Sequence, residues 1–256
     1  MKQSHLRALQ RVYLVLLFSF MYVPIAVMAV FSFNESKSRT IFTGFTFKWY
    51  ESLFHKEMIL SALGLSLVVA LIAAVVATVV GTAAAIGINA MGKRSQAVVN
   101  NGSYMPVVNP EIITGVALML LFVGAKDGIA WANETLGWSL PENIFGLPTL
   151  LIAHISFCLP YVIFNVSPKL RQLDVRVYEA ALDLGCNPRQ AFFKVVLPEL
   201  APAILSAFLI CLTYSIDDFL ISYFTSGTTQ TLPIVIYSMT RKKVSPEINA
   251  LSAILF

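Results

Sequence analysis

Charge is scarce in this chain. Only 12% of its 256 residues are Asp, Glu, Lys or Arg, against 57% hydrophobic ones, where soluble domains carry about 25% charged residues. With a mean hydropathy of +0.74, that shortage excludes an ordinary soluble fold. Cysteine is scarce too. Cys158, Cys186 and Cys211 are odd in number and widely spaced, which excludes a disulfide framework or a zinc site. Of the three histidines, His154 has no Cys, His or carboxylate at ligand spacing, so it reads as a buried, hydrogen-bonded helix residue. The net charge of +4 is modest, and the basic residues flank apolar runs. They are topology signals, and a nucleic-acid partner is excluded.

What is present is a series of long apolar runs, the mark of a polytopic membrane protein. The expected fold class is all-α, a membrane helical bundle of about six spans forming one domain over residues 1–256. Lys2, Arg7 and Arg11 precede a first run from Val12 to Phe33. It is longer than the apolar core of a signal peptide, about 7–15 residues, and lacks a small-x-small cleavage site. It is therefore a retained span. Asn34 to Glu57 follows as an outer segment holding Phe42, Phe45, Phe47, Trp49, Tyr50 and Phe54. These aromatics suit either anchoring at the membrane–water interface or docking of a soluble binding protein.

A second span, Ile59 to Met91, is dense in small residues such as Gly64, Gly81 and Ala84, which permit close helix packing. Its end, Gly87 to Arg94, nearly spells a phosphate-binding loop. Arg94 stands where Ser or Thr is required, and no strand precedes it, so it is a Gly-capped helix end that binds no ATP. A third span, Ala97 to Val123, includes Asn109, Pro110 and Glu111. Its polar groups must face other helices or a water-filled cavity. Glu111 is placed near mid-span, where a carboxylate is either functional or hydrogen-bonded to a neighbouring helix. Gly124 to Gly146 is an outer loop, and Leu147 to Val166 a fourth span that Pro160 is expected to kink.

The next polar stretch runs from Glu179 to Pro198. Val175 to Leu184 is a helix, Gly185 sits where a left-handed cap belongs, and Asn187-Pro188 restarts the chain as N-cap and first helical residue. Pro198 is expected to end the second helix. The order Glu179-Ala180-Ala181, Gly185, Val195, Leu197-Pro198 resembles the EAA loop of MetI-like permeases of ABC importers, with Val195 where Ile is usual. The resemblance implies that the cytoplasmic segment 167–200 is a coupling helix-turn-helix docking on an ATPase. Glu179, Ala180, Ala181, Asp183, Gly185, Leu197 and Pro198 would be the coupling positions.

A fifth span, Ala201 to Phe224, contains Tyr214, Asp217 and Asp218. Adjacent carboxylates inside a span are expensive unless they meet cations or water. At about 100 degrees per residue they fan over one broad face, with Tyr214 one turn earlier. With the coupling loop inside, they fall in the outer half of the membrane and suit a cationic solute, by charge and by cation–π contact. Thr225 to Pro246 is a third outer loop with Arg241, Lys242 and Lys243. Lys and Arg divide about ten inside to eight outside, a weak bias, so the orientation rests on the resemblance and the basic N-terminus. Asn249 to Phe256 begins a sixth span too short to cross, so the chain is expected to continue beyond it.

Most of the chain resembles that family. Phe47 to Tyr50, Pro110 to Gly115 and Ser215 to Phe219 are similar to its spermidine/putrescine subfamily. The resemblance implies a chain of the bacterial inner membrane that forms a heterodimer with a second permease and works with two ATP-hydrolysing subunits and a periplasmic binding protein. ATP and Mg2+ would belong to the ATPase partner, and no cofactor or catalytic site to this chain. Asp217, Asp218, Glu111 and Tyr214 would contribute to the substrate path. Rival readings are a permease for another solute (another cation, iron, sulfate or an amino acid), a secondary transporter with membrane carboxylates as ion relays, and a membrane enzyme. No nucleophile–base pair or metal cluster supports the last.

Overall fold

The computed structural model describes residues 2–38, 41–242 and 246–255. Helices dominate: α1 (Lys2–Phe31), α2 (Lys48–Phe54), α3 (Glu57–Ala90), α4 (Lys93–Val108), α5 (Glu111–Leu136), α6 (Leu147–Gln172), α7 (Val175–Asp183), α8 (Pro188–Ala191), α9 (Leu197–Asp217), α10 (Leu220–Thr225), α11 (Leu232–Lys242) and α12 (Pro246–Leu255). A π-helical segment, Phe192–Val196, joins α8 to α9. Among the described residues the one β feature outside helices is an isolated bridge between Asn34 and Phe45. Five helical stretches are long and apolar enough to cross a membrane: Leu9–Phe31, Glu57–Ala90, Glu111–Leu136, Leu147–Gln172 and Pro188–Asp217.

Several expected boundaries move. The third span is not one helix from Ala97 to Val123, because α4 ends at Val108 and α5 begins at Glu111. Pro110 lacks an N–H and forces the residue before it out of the helical region; Asn109 accordingly has ψ 142°. Residues 124–136, expected in a loop, continue α5 until Gly137 at φ +67°. The fourth span runs on to Gln172 with Pro160 and Pro168 inside it. The fifth ends at Asp217, short of Phe224. The expected outer loop 225–246 contains α11; Lys243 lies outside the described residues. Nor does a glycine in a left-handed turn cap α3: Gly92 is extended, at φ −62° and ψ 151°, and opens α4.

The chain forms two units, Met1–Ala62 with Val235–Phe256, and Leu63–Ile234. In the first, the segment after α1 is organised by Asn34. Its side-chain nitrogen donates to the carbonyls of Ser38 and Ile41. Its oxygen accepts from the Thr43 N–H, while the Trp49 indole donates to the Asn34 carbonyl at 2.7 Å. Buried backbone polar groups need such partners. Phe33 stacks on Phe45 and on Tyr50, each at 5.1 Å. Lys56 pairs with Glu247 of α12, which also accepts from Ser52.

In the second unit α6 is the central element. Its buried face, including Ala153, Phe157, Val162 and Val166, packs with Ala74, Ala77 and Ala85 of α3 and with Ala207 and Cys211 of α9. The small residues of α3 let backbones approach, as packing in a membrane demands. A Cβ on Gly81 would lie 2.6 Å from the Val162 Cβ, so no larger residue fits there unless α6 yields. Cys158 and Cys211 face each other across the α6–α9 contact, each thiol directed at the other's carbonyl, at 3.7 and 3.5 Å.

Candidate functional site

Two regions of the second unit concentrate polar chemistry, one at each end of α9. The first is the helical hairpin before it. Asp174 caps α7, its carboxylate accepting from the Arg176 N–H at 3.0 Å. Gly185 then turns the chain at φ +88°, a conformation that costs L-residues with a Cβ roughly 1–2 kcal/mol. Asn187 and Gln190 form a reciprocal capping box around Pro188 at the first helical position. Glu179, Ala180, Asp183 and Gly185 are exposed, as is Leu184 at 88%, while Ala181 is buried.

Pro198 does not end the second helix. A proline clashes with the carbonyl four residues back and supplies no N–H to it. Here the preceding turn is widened into the π segment, in which the Leu197 N–H reaches the Phe192 carbonyl. The extra residue passes the defect without breaking the helix, so Pro188–Asp217 is one continuous rod. Leu197 is half-buried and Pro198 exposed at its start. Between the end of α6, α7 and the π segment lies a pocket of about 420 Å³, bordered by Tyr178, Asp174 and the Lys169–Glu199 pair at 3.8 Å.

The second region is the break between α9 and α10. Asp217 is the last helical residue and Asp218 has ψ 121°, so the two carboxylates do not fan over one helical face. Asp217 points outward and is exposed; Asp218 turns inward, its side chain only 3% exposed. The Asp218 carboxylate accepts from the backbone N–H groups of Ile221 (3.2 Å) and Ser222 (2.7 Å). It thereby satisfies the orphan donors that open α10. His154 of α6 stands beside it, with Nε2 3.5 Å from a carboxylate oxygen and 3.0 Å from the Ser222 hydroxyl. Its Nδ1 meets the Ser215 hydroxyl at 2.6 Å. Thr149 of α6 adds a tie, donating to the Thr225 carbonyl at 2.7 Å. His154 is thus the buried, hydrogen-bonded residue expected, and Asp218 is its neighbour.

Glu111 is not at mid-helix but is the exposed first residue of α5. Four residues on, Gly115 meets Phe224, the Leu220 carbonyl and Ile221 of α10, so the first turn of α5 packs on the short helix that Asp218 caps. That contact brings Glu111 within electrostatic reach of Asp218 and Asp217. Tyr214, 45% exposed, packs edge-on against Tyr161 of α6 at 4.8 Å. The structure therefore leaves Glu111, Tyr214 and Asp217 exposed and withdraws Asp218 into the core. Sequence reasoning did not identify Tyr161 or the His154–Asp218 neighbourhood. A polar residue inside an apolar run was the available signal for His154, and Tyr161 carried none.

No group of three or more metal-binding side chains occurs among the described residues.

The family described as "Binding-protein-dependent transport system inner membrane component" matches residues 77–255. The putrescine transport system permease PotI of Escherichia coli K12 is 38% identical over 95% of this chain and 84% of its own. The spermidine/putrescine permease PotC of the same strain is 34% identical over 97% of this chain and 89% of its own. A crystal structure of a bacterial ABC transporter involved in import of the acidic polysaccharide alginate superposes with a TM-score of 0.76. It covers 99% of this chain and 90% of that one at 16% identity, and so supports the fold alone. The family match spans most of the chain and two permeases align along nearly all of it: the chain belongs to the binding-protein-dependent transport system inner membrane components, the MetI-like permeases of ABC importers.

Proposed function

We propose that this chain is one of two permeases in an ATP-driven importer of polyamines, acting as a single transmembrane domain with its N-terminus in the cytoplasm. The observation that carries the reading is that Glu111, Asp217 and Tyr214 are all exposed, at the start of α5 and the end of α9, where α5 packs on α10. Two carboxylates and an aromatic ring suit a polycation, and relatives 34–38% identical are named as putrescine and spermidine/putrescine permeases. A PotB-like permease would complete the path as a heterodimer. Two PotA-like subunits would hydrolyse ATP with Mg2+, and a PotD-like periplasmic protein would deliver substrate. The chain itself would carry no catalytic site and bind no cofactor.

Coupling falls to the α7–α8 hairpin. Glu179, Ala180, Asp183 and the turn at Gly185 present the surface to the ATPase, and buried Ala181 faces away from it. Leu197 and Pro198 lie where the hairpin joins α9, so a push on the hairpin travels along one rod to Asp217. Asp218 contributes indirectly, by holding the break in shape.

The test is uptake of labelled spermidine and putrescine in cells lacking the gene, with and without the restored full-length protein, beside sulfate and amino-acid controls. Loss and return of polyamine uptake alone supports the assignment. Unaffected polyamine uptake sinks the substrate reading and leaves a permease for another solute.

A further inference from the structure

A pocket of about 390 Å³ opens between α6 and α9, lined by Tyr161, Asn165, Ser206, Leu209, Ile210, Thr213 and Tyr214. It carries no formal charge. Its α9 side is a single stripe, with Ser206, Leu209, Ile210, Thr213 and Tyr214 at helical spacing. Asp217 continues that stripe, one turn beyond Thr213 and Tyr214. Four residues of helix advance about 6 Å, so Asp217 follows the pocket's Thr213 by one such step along α9.

The polar groups within are neutral and partly uncommitted. Asn165 donates to the Tyr161 carbonyl and Thr213 to the Leu209 carbonyl. The Tyr161, Tyr214 and Ser206 hydroxyls have no protein partner among the described residues. The side-chain oxygen of Asn165 and these phenols are acceptors, and the two tyrosine rings offer π faces. Leu209 and Ile210 add an apolar wall. A neutral, acceptor-rich, aromatic pocket beside a carboxylate favours a cation that carries its own hydrocarbon.

We propose that this pocket binds one alkylammonium end of a linear aliphatic polyamine. The ammonium would meet Tyr161, Tyr214 and Asn165 inside the pocket, the methylenes would run past Thr213, and the next ammonium would reach Asp217. Two ammonium groups joined by four methylenes are about 6 Å apart when extended, from bonds of about 1.5 Å, which matches the axial step from Thr213 to Asp217. Tyr161 and Asn165 are thereby specificity-determining residues. The inference rests on the polyamine reading and names a subsite within it.

The test uses the complete importer, assembled with its partner permease, ATPases and binding protein in proteoliposomes. Tyr161→Leu is expected to raise KM for putrescine and spermidine roughly five- to tenfold, the scale of one lost cation–π contact. Vmax and subunit stoichiometry should stay near wild type. Tyr161→Phe, which keeps the ring, should recover KM to within about twofold. Ile210→Trp fills the pocket from the α9 side and should raise KM in the same direction, which keeps the test available where Tyr161→Leu fails to assemble. Unchanged KM in an assembled Tyr161→Leu or Ile210→Trp importer overturns the subsite while leaving polyamine transport standing. A wild-type importer that moves no polyamine overturns the functional reading and the subsite together.

Discussion

His154 and Asp218 lie side by side in the core of the second unit, imidazole Nε2 to carboxylate oxygen 3.5 Å, with side chains 2% and 3% exposed. They come from different helices, and their shared partner is Ser222 at the start of α10. The carboxylate caps that helix, and the imidazole links it to α6 and, through Ser215, to the end of α9. Asp218→Ala leaves the Ile221 and Ser222 N–H groups buried without acceptors, at a cost of about 1–3 kcal/mol. The expected outcome is a lower yield of assembled importer and earlier thermal unfolding of the detergent-purified complex. A variant with wild-type yield and stability would show that the cap is dispensable.

Asp217, its exposed neighbour, should behave in the opposite way. Asp217→Asn removes a charge and no internal hydrogen bond seen among the described residues, so assembly should be intact. Loss of about 1.4 kcal/mol of ligand contact is a tenfold change in an equilibrium, and polyamine KM should rise by roughly that factor. Transport kinetics in vesicles decide between this and an unaltered KM, which would remove Asp217 from the path.

Gly185 sets a third expectation. At φ +88°, Gly185→Val strains the turn between α7 and α8 by roughly 1–2 kcal/mol. The hairpin tip should then be displaced while the bundle stays folded. Substrate-stimulated ATP hydrolysis is expected to continue without matching uptake, and Glu179→Ala should show a milder form of the same uncoupling. Full transport in both variants would refute the coupling role of the hairpin.

The α3–α6 seam allows an internal control. Gly81→Leu drives a side chain into Val162, whereas nothing lies within 4 Å of a Cβ added at Gly64. Overpacking costs about 1–3 kcal/mol, so Gly81→Leu should lower the unfolding temperature of the purified complex and Gly64→Ala should not. Equal effects would contradict the close approach of the two helices.

The spans were legible because apolar length is a one-dimensional property: α3, the end of α1 and the start of α6 fall within a few residues of the hydropathy reading. Breaks were harder. Asn109-Pro110 carries a boundary signal, but it sits between apolar stretches that read as one span, and within that span Glu111 falls at mid-helix and not at a helix start. Pro198 misled for the opposite reason, since the π segment that absorbs it has no residue signature in Phe192–Val196. The separation of Asp217 from Asp218 was out of reach altogether. Which carboxylate turns inward depends on a histidine from another helix, whose partner Ser215 is 61 residues away, and no local pattern encodes that meeting.

The π segment also sets the rotational phase between α8 and α9. One surplus residue in a helix turns everything before it by about 100 degrees relative to everything after it. The face that α8 shows to solvent is therefore offset from the Ser206–Asp217 stripe by Phe192–Val196. Phe192–Val196 thus fixes how the hairpin and the stripe are oriented about one axis.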